Sequence, residues 1–231
     1  MKTLGIIGGL GPESTVDYYQ KIIQLYRERT GDDVYPQFLI NSIDLNSVRE
    51  PVLANDLERV AANIVAEIEK LARAGADFGL IAANTPHLAF DEIAARSPIR
   101  LISIVEATCA AAKDRQFKRL AIFGTKFTMN GEWYARPFSR DGIGLVRPDE
   151  ADQDYIHDKY MNELIHGKFL PKTKEGLLAI VDRMRGKVDI DAVLLAGTEL
   201  PLILRDAEHK SIPLLDTTHI HCEAAVAQML S

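Results

Sequence analysis

Short aliphatic and β-branched runs recur along the whole chain, each bounded by turn residues, and this recurrence constrains the fold more than any other feature. The runs are TLGIIG (3–8), QFLINS (37–42), FGLIAA (78–83), RLISIV (100–105), RLAIFG (119–124), IGLVRP (143–148), DAVLLA (191–196) and IPLLD (212–216). Runs this short, without polar alternation, read as strands buried on both faces, as in a parallel sheet covered by helices. Amphipathic segments separate them. The clearest spans 55–74, where Leu57, Val60, Ala61, Ile64, Val65, Ile68 and Leu71 keep helical spacing before Gly75 stops the helix. Residues 150–187 also carry helix signal, with Lys and Asp on the outer positions. Alternating strands and helices predict the α/β class.

Two of these runs have counterparts later in the chain. LGIIGG (4–9) resembles LAIFGT (120–125) at an offset of 116, and ADFGLIAANTP (76–86) resembles IDAVLLAGTEL (190–200) at an offset of 114. Nearly equal offsets suggest two similar, doubly wound α/β halves. Asn84 and Thr85 end one run, and Thr198 and Glu199 the other, where α/β sheets place ligand-contacting groups. Two related halves would face these ends across one cleft. The expected division is 1–98 plus 210–231 for the first half and 99–209 for the second, because RLAIFG restarts the pattern of TLGIIG.

Bulk properties exclude several classes of function. The 231 residues carry 27 basic and 33 acidic side chains, a net charge of −6 with no long basic block, which disfavours nucleic acid or anionic lipid as partner. No apolar stretch approaches the roughly 18 residues of a membrane helix. The N-terminus runs from MKT into a strand without a signal-peptide pattern, so a cytoplasmic protein is expected. Cys109 and Cys222 lie far apart and form neither a disulfide framework nor a CxxC pair, and both read as buried apolar residues.

GGLGPES (8–14) is a strand-to-helix turn with Pro12 at the first helical position. It argues against a dinucleotide site: Ser14 stands where a third glycine would, Glu13 brings negative charge to the first turn, and no acidic residue follows at the required distance. Free backbone N–H groups at Gly9, Leu10 and Gly11 could instead hold a small carboxylate. HIHC (219–222) reads as the start of the last helix, and no second ligand cluster accompanies it, so no metal is expected. His87 reads as a structural histidine bonded to a loop carbonyl or as a proton carrier. Glu199 reads as the partner of a cation across the cleft or as a general base. Arg49, which follows the second run, and Lys168 are the candidate cations for a carboxylate, Arg in a bidentate grip and Lys as a point charge.

GIIGGLGPEST near the start, ANTPH (83–87), FGTKFTM (123–129) and GTELPLIL (197–204) together resemble the aspartate/glutamate racemase superfamily, specifically its aspartate racemase and broad-specificity amino-acid racemase branch. The resemblance implies two α/β domains related by a pseudo-two-fold axis, assembled as a homodimer. A small amino acid or dicarboxylate would bind between the domains, with no pyridoxal phosphate or other cofactor. In that family each half contributes a cysteine, one as thiolate base and one as thiol acid, roles accessible to thiols near neutral pH. The corresponding positions here hold Ala83 and Gly197, and neither side chain can carry a proton. Alanine is a usual laboratory replacement for cysteine and glycine is not, so both residues read as natural. Carried over position by position, the ligand-holding groups would be Gly9, Leu10, Gly11, Arg49, Asn84, Thr85, Thr125, Lys168 and Thr198, with Glu199 first and His87 second as replacement proton carriers. The resulting function is a cofactor-independent racemase-like isomerase. The alternatives are a non-catalytic amino-acid-binding or regulatory homologue, or a one-base lyase or decarboxylase derivative.

Overall fold

The computed structural model of the chain describes residues 1–31, 34–206 and 208–231. It contains two compact units, Met1–Ala107 with Thr218–Ser231, and Thr108–Thr217.

In the first unit, β1 (Leu4–Gly8), α1 (Pro12–Thr30), β2 (Phe38–Ser42), α2 (Asn46–Leu53) and α3 (Leu57–Arg73) are followed by β3 (Phe78–Ile81), α4 (Phe90–Arg96), β4 (Arg100–Ile102) and the start of α5 (Ile104–Asp114). The four strands are parallel, in the order β2-β1-β3-β4. Alternation along β1 sends Ile7 to one face, where it packs with Val60, Ile64 and Ile68 of α3. Leu4 and Ile6 go to the other, against Tyr18 and Ile22 of α1 and Val226 and Met229 of the C-terminal helix. Helices therefore cover both faces. α3 begins where the Asp56 side chain accepts the Arg59 amide and gives way to Gly75, whose φ of 98° suits a residue without Cβ.

The second unit contains β5 (Arg119–Gly124), α6 (Lys126–Asn130), α7 (Glu132–Arg140), β6 (Gly144–Val146), α8 (Glu150–Asn162) and α9 (Pro171–Lys187). These lead to β7 (Ala192–Ala196), α10 (Leu200–Ile203), β8 (Glu208–His209) and β9 (Ile212–Asp216), after which α11 (Thr217–Met229) begins. The sheet order is β6-β5-β7-β9-β8, parallel except for the β8–β9 pair. Ala121, Phe123, Val193 and Leu195 pack on one face with Ile156 and Tyr160 of α8 and Leu177, Ile180 and Val181 of α9. β1 and β3 are the adjacent central strands of the first sheet, as β5 and β7 are of the second. The two segments repeated in the sequence are thus topologically equivalent.

Three expectations change. Residues 99–107 belong to the first unit because β4 pairs with β3, and 210–217 belong to the second because β9 pairs with β7, so the boundaries move from 98 and 210 to 107 and 217. The edge strands β2, β4 and β6 are half-exposed rather than buried on both faces, since an edge strand has a neighbour on one side only. The run at 100–105 stops as a strand at Ile102, and Ile104 already begins α5.

Candidate functional site

Parallel strands bring their C-terminal ends to one edge of a sheet, and the loops leaving two adjacent central strands diverge there. In the first unit those loops are Gly8–Gly11 after β1 and Ala82–Thr85 after β3. Gly9 has φ of 81°, and a Cβ on it would lie 2.6 Å from the Ile43 nitrogen, so only glycine lets the turn approach the chain leaving β2. The Gly9 N–H donates to Thr15 Oγ1 at 2.9 Å, which engages one of the amides expected to be free for a carboxylate. Leu10 and Ala83 are buried in one apolar cluster with Val48 of α2. Asn84 is buried and Thr85 half-buried. Arg49 lies in α2, after β2 as expected, with its side chain exposed.

His87 lies in the short 3₁₀ turn Thr85–Ala89 and is buried. The Ile104 N–H donates to its Nε2 at 3.2 Å, so the ring proton sits on Nδ1 and is donated to the Ala83 carbonyl at 3.0 Å. Both nitrogens are thereby committed to holding the strand-end loop against the start of α5. Of the two readings of His87, the hydrogen bonds match the structural one. His221 is held in the same way: Tyr18 Oη donates to its Nδ1 at 2.8 Å, and its Nε2–H donates to the Ile102 carbonyl at 3.0 Å. Among the described residues, no group of three or more His, Cys, Asp or Glu side chains could hold a metal ion. Cys109 in α5 and Cys222 in α11 are free and buried, Cys222 in one apolar cluster with Leu4, Ile6 and Ala82.

Burial, with the neighbouring His221, pushes the His87 pKa down to about 3, and burial pushes that of His221 down to about 4. Both rings are neutral in the fold, whereas in the unfolded chain each titrates near 6.5. Protons then favour the unfolded chain. The stabilisation is complete above pH 6.5 and is lost as pH falls toward the folded values. Urea denaturation is expected to give a stability that drops by about 1.4 kcal/mol per pH unit for each histidine below about pH 6. Equal stability at pH 7.5 and pH 5 would contradict the neutral, buried assignment.

In the second unit, Gly124 pairs with Ala196 across β5 and β7, so Thr125 and Gly197 leave adjacent strands side by side. Thr125 caps α6, accepting the Thr128 N–H at Oγ1. Thr198 and Glu199 are both buried, and Thr198 Oγ1 donates to Glu199 Oε2 at 3.1 Å. The same carboxylate oxygen accepts a hydrogen bond from Tyr160 Oη of α8. A Cβ placed on Gly197 would meet Tyr160 at Cε2 (2.5 Å), Cζ (3.0 Å) and Oη (3.1 Å). The phenol therefore fills the space a side chain at 197 would need. Lys168, after the 3₁₀ turn Leu164–His166, is exposed.

Tyr160 is the residue the sequence did not single out. On α8 it keeps helical spacing with Ile156 and Leu164, both in the core, so it reads as one more packing residue. A glycine directly before the Thr198–Glu199 pair was the available hint that another group comes close there.

Two α/β units built on parallel central strands match the two-domain fold of solved aspartate and glutamate racemase structures. A family model described as Asp/Glu/Hydantoin racemase matches residues 7–225, and the chain belongs to that family. A broad-specificity amino-acid racemase of Bacillus subtilis is 24% identical over 233 residues, covering 99% of this chain and 98% of that one. The crystal structure of an aspartate racemase homologue from Pyrococcus horikoshii is 29% identical, with a TM-score of 0.85 and 100% of both chains covered. A glutamate racemase from Bacillus anthracis shares the fold at 14% identity, with a TM-score of 0.68 over 99% of this chain and 82% of that one.

Proposed function

We propose that the chain binds a small acidic amino acid or related carboxylate and acts on its α-proton without cofactor and without the two-cysteine acid/base pair. The observation that carries this reading is the repeated strand end: Ala83 before Asn84 and Thr85 after β3, and Gly197 before Thr198 and Glu199 after β7. The family resemblance assigns both positions to the proton-transfer groups, and here neither holds an ionisable atom. Asn84 and Thr85 after β3 in the first unit, and Thr125 and Thr198 after β5 and β7 in the second, each offer hydroxyl and amide groups suited to a carboxylate. The cation is Arg49, whose exposed guanidinium offers a bidentate grip, with Lys168 second. The Thr198 hydroxyl already donates its one proton to Glu199 Oε2, so it is the least available of the four. The family resemblance further supports action in the cytoplasm as a homodimer, and no helix among the described residues is long and apolar enough to cross a membrane.

Calorimetric titration with aspartate, glutamate and neutral amino acids is expected to find a ligand whose affinity falls about 10-fold or more on Arg49→Ala, the loss of a charge-assisted hydrogen bond. Unchanged affinity would remove Arg49 from the site. No binding across the panel would contradict the reading as a whole.

A further inference from the structure

The group at the second strand end is not empty space. Gly197 is outside the left-handed region, so its backbone suits any residue, and what excludes a side chain there is the Tyr160 ring. Tyr160 is buried in α8 and anchored through Oη to Glu199, itself buried two positions after Gly197. Anything approaching along the direction a side chain at 197 would take meets the edge of the phenol, Cε2, Cζ and Oη.

We propose that Tyr160 is the proton-transfer group of this strand end, with Glu199 as its relay, in place of a side chain at 197. This rests on the reading that the strand end after β7 faces the bound amino acid. Tyr160 Oη takes the α-proton as its own proton passes to Glu199 Oε2. The Cα–H and old Oη–H bonds break, and new Oη–H and Oε2–H bonds form. The Cα electron pair stays on the substrate as an enolate, and the Glu199 carboxylate becomes a carboxylic acid. Reversal returns a proton to Cα, and no outside reactant is required.

The electrostatics fit a relay better than a free phenolate. Burial first, and the adjacent Glu199 second, push the Tyr160 pKa well above its usual value, so the phenol stays protonated at rest. Handing its proton to Glu199 as it receives another avoids forming a buried phenolate. Thr198 Oγ1, donating to the same Oε2, holds the carboxylate toward the phenol.

The test follows α-deuterium exchange in deuterated buffer for each amino acid that binds, in the native protein, Tyr160→Phe and Glu199→Gln, with binding measured in parallel. Both variants preserve side-chain shape. Exchange is expected to fall about 10²–10⁴-fold in Tyr160→Phe, with binding within a few-fold of native. Substituting 3-fluorotyrosine at position 160, which acidifies the phenol, is expected to change the exchange rate several-fold at fixed pH with binding unchanged, a readout that a purely structural role would not move. Native binding without exchange, or exchange unchanged in Tyr160→Phe, would overturn the relay and leave the binding site standing. Failure of the native protein to bind any amino acid would overturn the underlying reading instead.

Discussion

Replacing Gly197 with alanine is expected to destabilise the protein by about 1–3 kcal/mol, the usual cost of forcing a methyl group into a filled space. The methyl would lie 2.5 Å from Tyr160 Cε2, and Tyr160 cannot retreat without giving up its hydrogen bond to Glu199. In a Tyr160→Ala background the same substitution should be neutral or stabilising by about 0.4–1 kcal/mol, because Gly197 has no left-handed φ and alanine restricts the unfolded chain. The coupling between the two sites, read from urea denaturation of the four proteins of the cycle, should be about 1–4 kcal/mol, the difference between those two effects. Additive effects would mean that the phenol does not occupy the space of the missing side chain.

The second large effect concerns chemistry. A cysteine pair reinstalled by Ala83→Cys with Gly197→Cys is expected to remain poorly active, because the clash that opposes alanine at 197 also opposes cysteine. Adding Tyr160→Ala to the pair makes room for the thiol, and racemisation of a bound amino acid should rise by about 10²-fold or more over the double replacement, the typical contribution of one placed proton-transfer group. The assay is loss of optical rotation. Equal activity of the double and triple replacements would mean that Tyr160 does not block the position.

Much of the fold was legible because parallel strands buried by helices leave uninterrupted aliphatic runs. The 116- and 114-residue offsets marked the central strands of both sheets, since those are the strands with the least freedom to vary. The edges were less legible. A run such as QFLINS looks the same whether its strand is central or, like β2, at the rim, because exposure depends on neighbours that the run does not encode. The unit boundaries were missed for a related reason: β4 and β9 are claimed by pairing with β3 and β7, a long-range choice absent from local pattern.

At the strand ends, the sequence exposed the absence of reactive atoms at 83 and 197 but not what stands in their place. Tyr160 lies 37 residues before Gly197, and its ring meets that position only once α8 packs on the face of the sheet formed by β5 and β7. His87 illustrates the converse. Its position beside Asn84 and Thr85 made a proton carrier conceivable, while its two hydrogen bonds, to Ala83 and from Ile104, become visible only when the start of α5 is placed beside it.

The most direct test of a thiol-free chemistry is to incubate the native protein with L-aspartate, and with any other amino acid it binds, in deuterated buffer and to record α-deuterium content and optical rotation on the same sample. With Tyr160 serving the strand end after β7 and only a methyl group at Ala83, deuterium is expected to enter the α-position well ahead of any loss of rotation, because no second proton-transfer side chain stands at 83. Rapid loss of rotation in step with deuterium entry, at a rate unaffected by Tyr160→Phe and Glu199→Gln, would contradict it.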